Sequence, residues 1–419
     1  MFELINFIIL LWGFFWLILA VKKIISGEKY TIYFAFIMFF FFFYVPVLLD
    51  TIIGKPNYTY ELGFILSSQD KVTLYIYLLY IFIIPVIWWV TGKNKKRFNK
   101  YDKDNSMLNG YILRLLLYIS LVSPLIAVVF APQPSIYLHY GAVLTENMYG
   151  EISDYHTLLS SLTFLSVISG ISLILTNKNF SFLVFFLIIF FIGVDCWING
   201  KRAIMALAVM LLIYSLWNKN VFNKSVLILT SICSCLFILL FSNLYQNSLR
   251  YEKEQISSFN EKYHNFRVDF GRDDVTKMAI YAELHPENLK ILEYRGQSLL
   301  FDLTMFIPRD FWPNKPWPYA VYLTSALLML PIQYFGWSMT TSWLEEAIAN
   351  FSWFGFILGP LWISVICRIG DAHKNILIKS LTIIVSCLFI VLQLAAFAPF
   401  FILWLLLIII DMVRSKITI

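Results

Sequence analysis

Of 419 residues, 59% are hydrophobic and only 14% charged, against roughly 25% charged in an ordinary soluble domain, which excludes a cytosolic globular enzyme. A mean hydropathy of +0.73, with 39 Phe, 24 Tyr and 13 Trp, makes hydrocarbon the solvent for most of the mass. The net charge of +6 is what orienting loops of an integral membrane protein require, and nucleic acid need not be invoked.

Apolar runs of spanning length lie near 2–21, 30–49, 72–92, 111–131, 157–176, 180–198, 203–217, 225–243, 352–368, 380–397 and 399–413. These predict about eleven transmembrane helices in an all-α, polytopic integral membrane protein. A barrel would show short alternating strands instead. No basic region precedes the first run, which is too long for a signal-peptide core, so it is expected to stay as a membrane helix. The five cysteines (Cys196, Cys233, Cys235, Cys367 and Cys387) all fall in apolar runs and read as packing residues.

Basic residues orient the chain. The connections at 22–29, 93–110 with Arg114, 177–179, 218–224, 368–379 and 414–416 carry 18 Lys and Arg; the short loops on the other side carry only Lys55, Lys71, Lys201 and Arg202. This predicts an inside C-terminus and an outside N-terminus. The organisation expected is 1–243, about eight N-terminal helices; 244–351, a large extracytoplasmic loop; and 352–419, about three C-terminal helices. The loop is polar from Gln246 to Glu293, then rich in Pro and Trp from Ile307 to Pro318. It turns apolar again near 319–335, an interfacial or re-entrant segment flanked by prolines and aromatics.

Asn199-Gly200-Lys201-Arg202 places two cations at a tight turn on the side that the charge rule disfavours. They either snorkel to lipid headgroups or hold a diphosphate, with Asp195 orienting Arg202 or simply marking the interface. The outer loop adds Arg250, Arg267, Arg272, Arg295 and Arg309. Arg309 stands out because Pro308 stiffens its approach and Phe311 and Trp312 shield it. Arg272 follows, since Gly271 lets backbone approach a ligand closely. Glu345-Glu346 lie at a low-dielectric boundary, where a carboxylate serves as a general base or marks a helix N-terminus. Of the histidines, His139, near Tyr137 and Tyr140, and His264 face the outer side. Asp269, Asp273 and Asp274 form a loose acidic cluster interrupted by arginine; no metal and no cofactor is expected. There is no P-loop, no GxGxxG and no hydrolase elbow, so ATP-driven transport and nucleotide-sugar chemistry have no support.

Four elements together resemble the Wzy-type O-antigen polymerases, oligosaccharide repeat-unit polymerases of bacterial envelopes. They are Gly200-Lys201-Arg202, Arg272-Asp273, the stretch Ile307-Pro308-Arg309 through Trp312-Pro313-Asn314-Lys315-Pro316, and Glu346 to Asn350-Phe351 leading into Gly355 and Gly359. The family's Asn-Phe-Gly stands here as Asn350-Phe351-Ser352. The likeness covers about 190–370. It implies a GT-C-like fold in the bacterial inner membrane with the active site facing the periplasm or exterior, and a transferase that moves a growing glycan from undecaprenyl diphosphate to the sugar of another lipid-linked repeat unit. Catalytic roles are expected for Glu346 as base, Arg202, Arg272 and Arg309 as diphosphate clamp, and Asp273 and His139 as rival bases. Lys201, Arg250, Arg272, Lys315, His139, Trp312 and Asn350 are expected to bind substrate. Trp317, Tyr319, Tyr322 and Trp337 are placed either for sugar stacking or as an aromatic belt. Implied partners are the undecaprenyl-diphosphate-linked oligosaccharide, membrane lipid, a chain-length regulator and a flippase. The alternatives are an O-antigen ligase, a lipid-linked oligosaccharide flippase or transporter, and an envelope O-acyltransferase, which would want a histidine in a span.

Overall fold

A computed structural model describes residues 2–28, 30–93, 111–140, 151–176, 181–200, 202–218, 223–249, 259–334, 338–373 and 375–417. The helices in chain order are α1 (Phe2–Ile25), α2 (Ile32–Phe39), α3 (Val45–Ile52), α4 (Leu62–Gln69), α5 (Lys71–Thr91), α6 (Tyr111–Val129), α7 (Glu151–Thr176), α8 (Phe182–Asn199), α9 (Arg202–Asn218), α10 (Lys224–Leu249), α11 (Phe259–Phe270), α12 (Arg272–Leu284), α13 (Gln297–Thr304), α14 (Tyr319–Leu328), α15 (Trp343–Phe351), α16 (Gly355–Ala372), α17 (Ile376–Val391) and α18 (Leu394–Ile417). No strand occurs among the described residues. Between α2 and α3, Phe40–Tyr44 widens into a π turn, so both helices run as one apolar stretch.

Seven stretches among the described residues are long and apolar enough to cross a membrane: 3–25, 32–52, 71–91, 158–175, 182–199, 343–372 and 394–413. The chain is thus all-helical, with the character of a multi-pass membrane protein. Shorter apolar helices at 114–129, 204–217, 225–234 and 376–391 coincide with four more of the expected runs. Two boundaries differ from the sequence reading. The expected break at 398 is a kink inside α18, at Phe397, two residues before Pro399, whose ring and missing N–H disturb the preceding turn. The real break is at Leu392–Gln393, where the Gln393 side chain accepts a hydrogen bond from the Ala320 backbone N–H at 2.8 Å.

The stretch 343–372 is not one rod. An unbroken helix would hold Trp343 and Trp362 about 28 Å apart, yet their rings lie 6.0 Å apart. The chain reverses at Ser352, whose backbone (φ 56°, ψ −139°) is left-handed. Gly355 then lies so near Ala347 that a β-carbon would fall 2.2 Å from the Ala347 carbonyl oxygen. Nine-residue α15 therefore doubles back along the first half of α16.

The contacts divide the chain into two units. The first comprises 1–99, 256–373 and 385–402; the second 100–255, 374–384 and 403–419. In the first, an aromatic cluster including Trp16, Phe36, Phe39 and Trp88 joins α1, α2 and α5. The Trp88 indole donates to the Pro360 carbonyl at 3.0 Å. Thr31 donates its hydroxyl to Asp371 at 2.8 Å, tying the start of α2 to the end of α16. A second apolar cluster, with Phe64, Val275, Met278, Tyr319, Leu323 and Leu327 buried, packs α4, α12 and α14 together.

In the second unit α6, α7, α8 and α9 pack against one another. Hydroxyls at helical spacing on α7 face inward. Ser166 bonds Asp195 of α8, and the Asn199 amide donates to Ser160 Oγ (2.9 Å) and Thr163 Oγ1 (2.7 Å). Polar side chains at membrane depth thus find one another. Gly200, at φ 69°, closes α8 in the left-handed conformation that spares glycine a steric penalty.

Candidate functional site

The short helix α15 brings two acids into the apolar interior, and its local sequence gives them different tasks. Ser342 and Glu345 form a capping box: the Ser342 backbone N–H and hydroxyl bond the Glu345 carboxylate, and Ser342 Oγ accepts from the Leu344 N–H at 3.2 Å. Thr276 of α12 adds a hydroxyl at 3.3 Å from Glu345 Oε2. Glu345 is therefore consumed in starting the helix. Glu346 is not.

Glu346 is 1% exposed and Asn350, one turn later, 3%. Ser298, from α13, donates to Glu346 Oε1 at 2.8 Å and accepts from Asn350 Nδ2 at 2.8 Å; the same amide also donates to the Glu346 carbonyl at 2.8 Å. Glu346 Oε2 and Asn350 Oδ1 are buried without a hydrogen-bond partner among the described residues, and so is Oδ2 of Asp302, on the same helix as Ser298. Asp302 stands one turn of α13 after Ser298, on the helix that supplies the Glu346 hydrogen-bond donor. Burial pushes Asp302 up to about 7. A buried acid with an unoccupied oxygen beside a second acid is chemically available in a way that a capped acid is not.

Asp273 has a different setting. Arg267 bonds it twice, at 3.0 and 2.8 Å, and reaches Asp274 at 2.7 Å and Asp50 at 3.3 Å. Lys277 contacts Asp273 at 2.6 Å and Asp274 at 3.1 Å. Tyr58 donates to Asp274 (2.5 Å) and Tyr263 to Asp50 (2.8 Å). Burial alone would raise Asp274, but the Arg267 and Lys277 charges and the Tyr58 hydroxyl hold it well below the usual carboxylate range. Burial opposes the charge of Lys277 too, and the two neighbouring aspartates more than compensate, raising it. This network pins the end of α3 to α11 and α12, with both oxygens of Asp273 engaged.

The Pro- and Trp-rich stretch is organised by its own cations. Arg309 donates to the Lys315 carbonyl at 2.7 Å and the Pro316 carbonyl at 2.9 Å, with its guanidinium 3.5 Å over the Trp317 ring. Lys315 donates to the carbonyls of Met305 (2.9 Å) and Ile307 (2.8 Å). Two of the five guanidinium N–H donors of Arg309 are thereby committed to holding the loop. Trp312 is half-buried in the same turn. Arg272 directs its Nε to the Val391 carbonyl at 2.9 Å.

Of the residues singled out from the sequence, Glu346 and Asn350 meet around Ser298. Arg309, Lys315 and Trp312 share one loop, and Arg272 and Asp273 start one helix. Lys201 and Arg250 lie outside the described residues. Arg202 opens α9, and its side chain also lies outside them. His139 is exposed after the short 3-10 turn Pro134–Leu138 of the second unit. Asp195, the candidate partner of Arg202, accepts from Ser166 instead. Among the described residues no group of three or more His, Cys, Asp or Glu is arranged for a metal ion.

Sequence reasoning missed Ser298, Asp302 and Asp50. Asp302 carried a signal, as the lone acid in Leu299-Leu300-Phe301-Asp302-Leu303; Asp50 did too, at the end of an apolar run. Comparisons with protein-family models, curated proteins and solved structures find no match.

Proposed function

We propose that the chain is a Wzy-type polymerase of lipid-linked oligosaccharides. It would transfer a growing glycan from undecaprenyl diphosphate to a sugar hydroxyl of another lipid-linked repeat unit at the outer face of a bacterial inner membrane. The observation that carries this reading is the buried Glu346 carboxylate, with one oxygen unoccupied, on a short helix doubled back along a spanning helix. An acidic group so placed is by default functional rather than structural. In the proposed reaction Glu346 takes the acceptor hydroxyl's proton as that oxygen attacks the anomeric carbon. The anomeric carbon–oxygen bond breaks, and the lipid diphosphate leaves with the electron pair. Of the expected clamp residues, Arg272 and Arg309 of the first unit would face the departing charge, with Lys315 as a further cation.

A backbone detail supports the same reading. Position 352, where the family pattern has glycine, holds a serine in a left-handed conformation here, the geometry that glycine takes freely. Asp273 is better assigned to holding the helices together than to proton transfer, since Arg267 and Lys277 already occupy it.

One feature favours a second reading, a lipid-linked oligosaccharide transporter. Short helices that break and turn back within an apolar region are also how transporters build mid-membrane sites. Purified protein given a defined lipid-diphosphate repeat unit, without nucleotide sugar or divalent metal, separates the two. A ladder of polymer lengths is expected from the wild type, and Glu346→Gln should lower it at least ~100-fold while donor still binds. No ladder from the wild type, with movement of the lipid-linked glycan across a vesicle, would replace polymerase by transporter; a single transfer to another acceptor lipid would indicate a ligase.

A further inference from the structure

We infer that Asp302 and Glu346 act as one unit, two carboxyl groups holding a single proton between them near neutral pH, with Asp302 positioning and tuning Glu346. The role in catalysis rests on the polymerase reading; the proton-holding pair does not.

The geometry leads there in three steps. Asp302 follows Ser298, the hydrogen-bond donor to Glu346, by one turn of α13, and each carboxyl has a buried oxygen, Asp302 Oδ2 and Glu346 Oε2, without a hydrogen-bond partner among the described residues. Neither carboxyl forms an ion pair among the described residues, in contrast to Asp273 and Asp274, which Arg267 and Lys277 neutralise. Two like charges in a low-dielectric site without a counter-ion do not both persist, and a shared proton is the least demanding remedy.

The third step is Asn350. It is 3% exposed, its amide N–H groups are spent on Ser298 and the Glu346 carbonyl, and its Oδ1 has no partner. The cluster therefore lacks donors rather than acceptors, and a proton supplies one. The groups facing it are few: Ser298 on α13, Glu345 on α15, the Tyr319 hydroxyl on α14, and the Leu394 backbone N–H at the start of α18. From α12, Thr276 bonds Glu345. Ser298 donates to Glu346 and not to Asp302, so Glu346 is the member favoured as the ionised acceptor.

In the transferase this matters for the proton inventory. Asp302–H donates to Glu346, which keeps a lone pair for the acceptor hydroxyl. When that hydroxyl attacks the anomeric carbon, its proton passes to Glu346 and the lipid diphosphate leaves. The pair, now holding two protons, returns one to bulk water before the next cycle.

Infrared spectroscopy of the detergent-purified full chain between pH 5 and 10 tests the pair without any turnover. After subtraction of the absorption that remains in an Asp302→Asn, Glu346→Gln double variant, which carries the other buried acids Glu345 and Asp195, the wild type should show buried carboxylic-acid carbonyl absorption that titrates in two steps. Asp302→Asn and Glu346→Gln should each collapse these into one step, and the milder Ser298→Ala should displace both steps together. Absence of titrating carboxylic-acid absorption in the wild type overturns the inference even if no variant folds. So do two steps that survive in both variants, or a response to sodium chloride against choline chloride that replaces the proton by a bound cation. For the catalytic role, Asp302→Asn should lower turnover ~10-fold or more and alter the pH–rate profile, with donor binding unchanged. A paired titration in a chain that makes no polymer would retain the pair and discard the polymerase.

Discussion

Ala347 and Gly355 approach so closely that a β-carbon on Gly355 falls 2.2 Å from the Ala347 carbonyl oxygen and 2.6 Å from the Ile348 α-carbon. Backbone cannot yield as a flexible side chain does, so Gly355→Ala must part α15 from α16. The expected loss is ~1 to 3 kcal/mol, the usual range for forcing extra volume into a packed interface. Thermal unfolding in detergent measures it. Gly193→Ala is the matched control, since nothing lies within 4 Å of its β-carbon position. Equal melting temperatures for the two variants would refute the close-approach argument.

Arg267 is fully buried among Asp50, Asp273 and Asp274. Replacing it with Met leaves three carboxylates with Lys277 as their remaining counter-charge, and should destabilise the fold by ~3 to 5 kcal/mol. Arg295, whose side chain is 54% exposed beside Glu283, should lose under ~1 kcal/mol on change to Ala. The contrast, read as melting temperatures of the two purified variants, is the informative quantity.

Ser352 holds φ 56°, and its hydroxyl bonds Glu283, which also pairs with Arg295 at 2.6 Å. A non-glycine residue in this region stores ~1 to 3 kcal/mol. Ser352→Gly relieves that strain and forfeits one hydrogen bond, so stability should stay within ~1 kcal/mol of the wild type. Ser352→Val keeps the strain, adds branching and should be markedly less stable. If the glycine variant were the worse of the two, the backbone assignment would fail.

Stability should depend on pH at both ends of the scale. Asp274 is held below its ordinary range, so its contribution is present above an unfolded value near ~4 and is lost as pH falls through the folded one. Asp302 works in the opposite sense. Pushed up to about 7 by burial, it favours the fold below ~4, and that contribution is lost as pH rises through about 7. Asp302→Asn should therefore flatten the decline between pH 5 and 8, and Asp274→Asn should lower stability at neutral pH while flattening the acid limb. Melting temperatures recorded from pH 3 to 9 for the three proteins check both signs.

The apolar runs made most helices legible, because twenty consecutive side chains that avoid water leave few alternatives. What stayed hidden depended on one or two backbone positions. The run expected at 352–368 already set a boundary where α15 gives way to α16; what hydropathy could not show is the reversal there, set by the Ser352 backbone and by the missing side chain of Gly355. The expected boundary fell at 398, yet helix continues through it with a kink at Phe397, and Leu392–Gln393, without any Pro or Gly, forms the break. In the site, Glu346 was visible as an acid at an apolar boundary. Its division of labour with Glu345 became visible only with the capping box. The arginines read as free cations, whereas Arg309 and Arg267 are held by carbonyls and carboxylates nearby in space.

The meeting of Asp50 with Arg267 spans 217 positions of sequence. At ~5 to 20 residues per second of synthesis, the ribosome delivers the guanidinium some 10 to 40 seconds after the carboxylate. During that interval the first helices must wait with an unmatched acid at one end, resting among headgroups or guarded by an insertion chaperone. Slowing translation between the two positions should therefore expose a vulnerable, half-assembled species to membrane proteases, and Asp50→Asn should shield it.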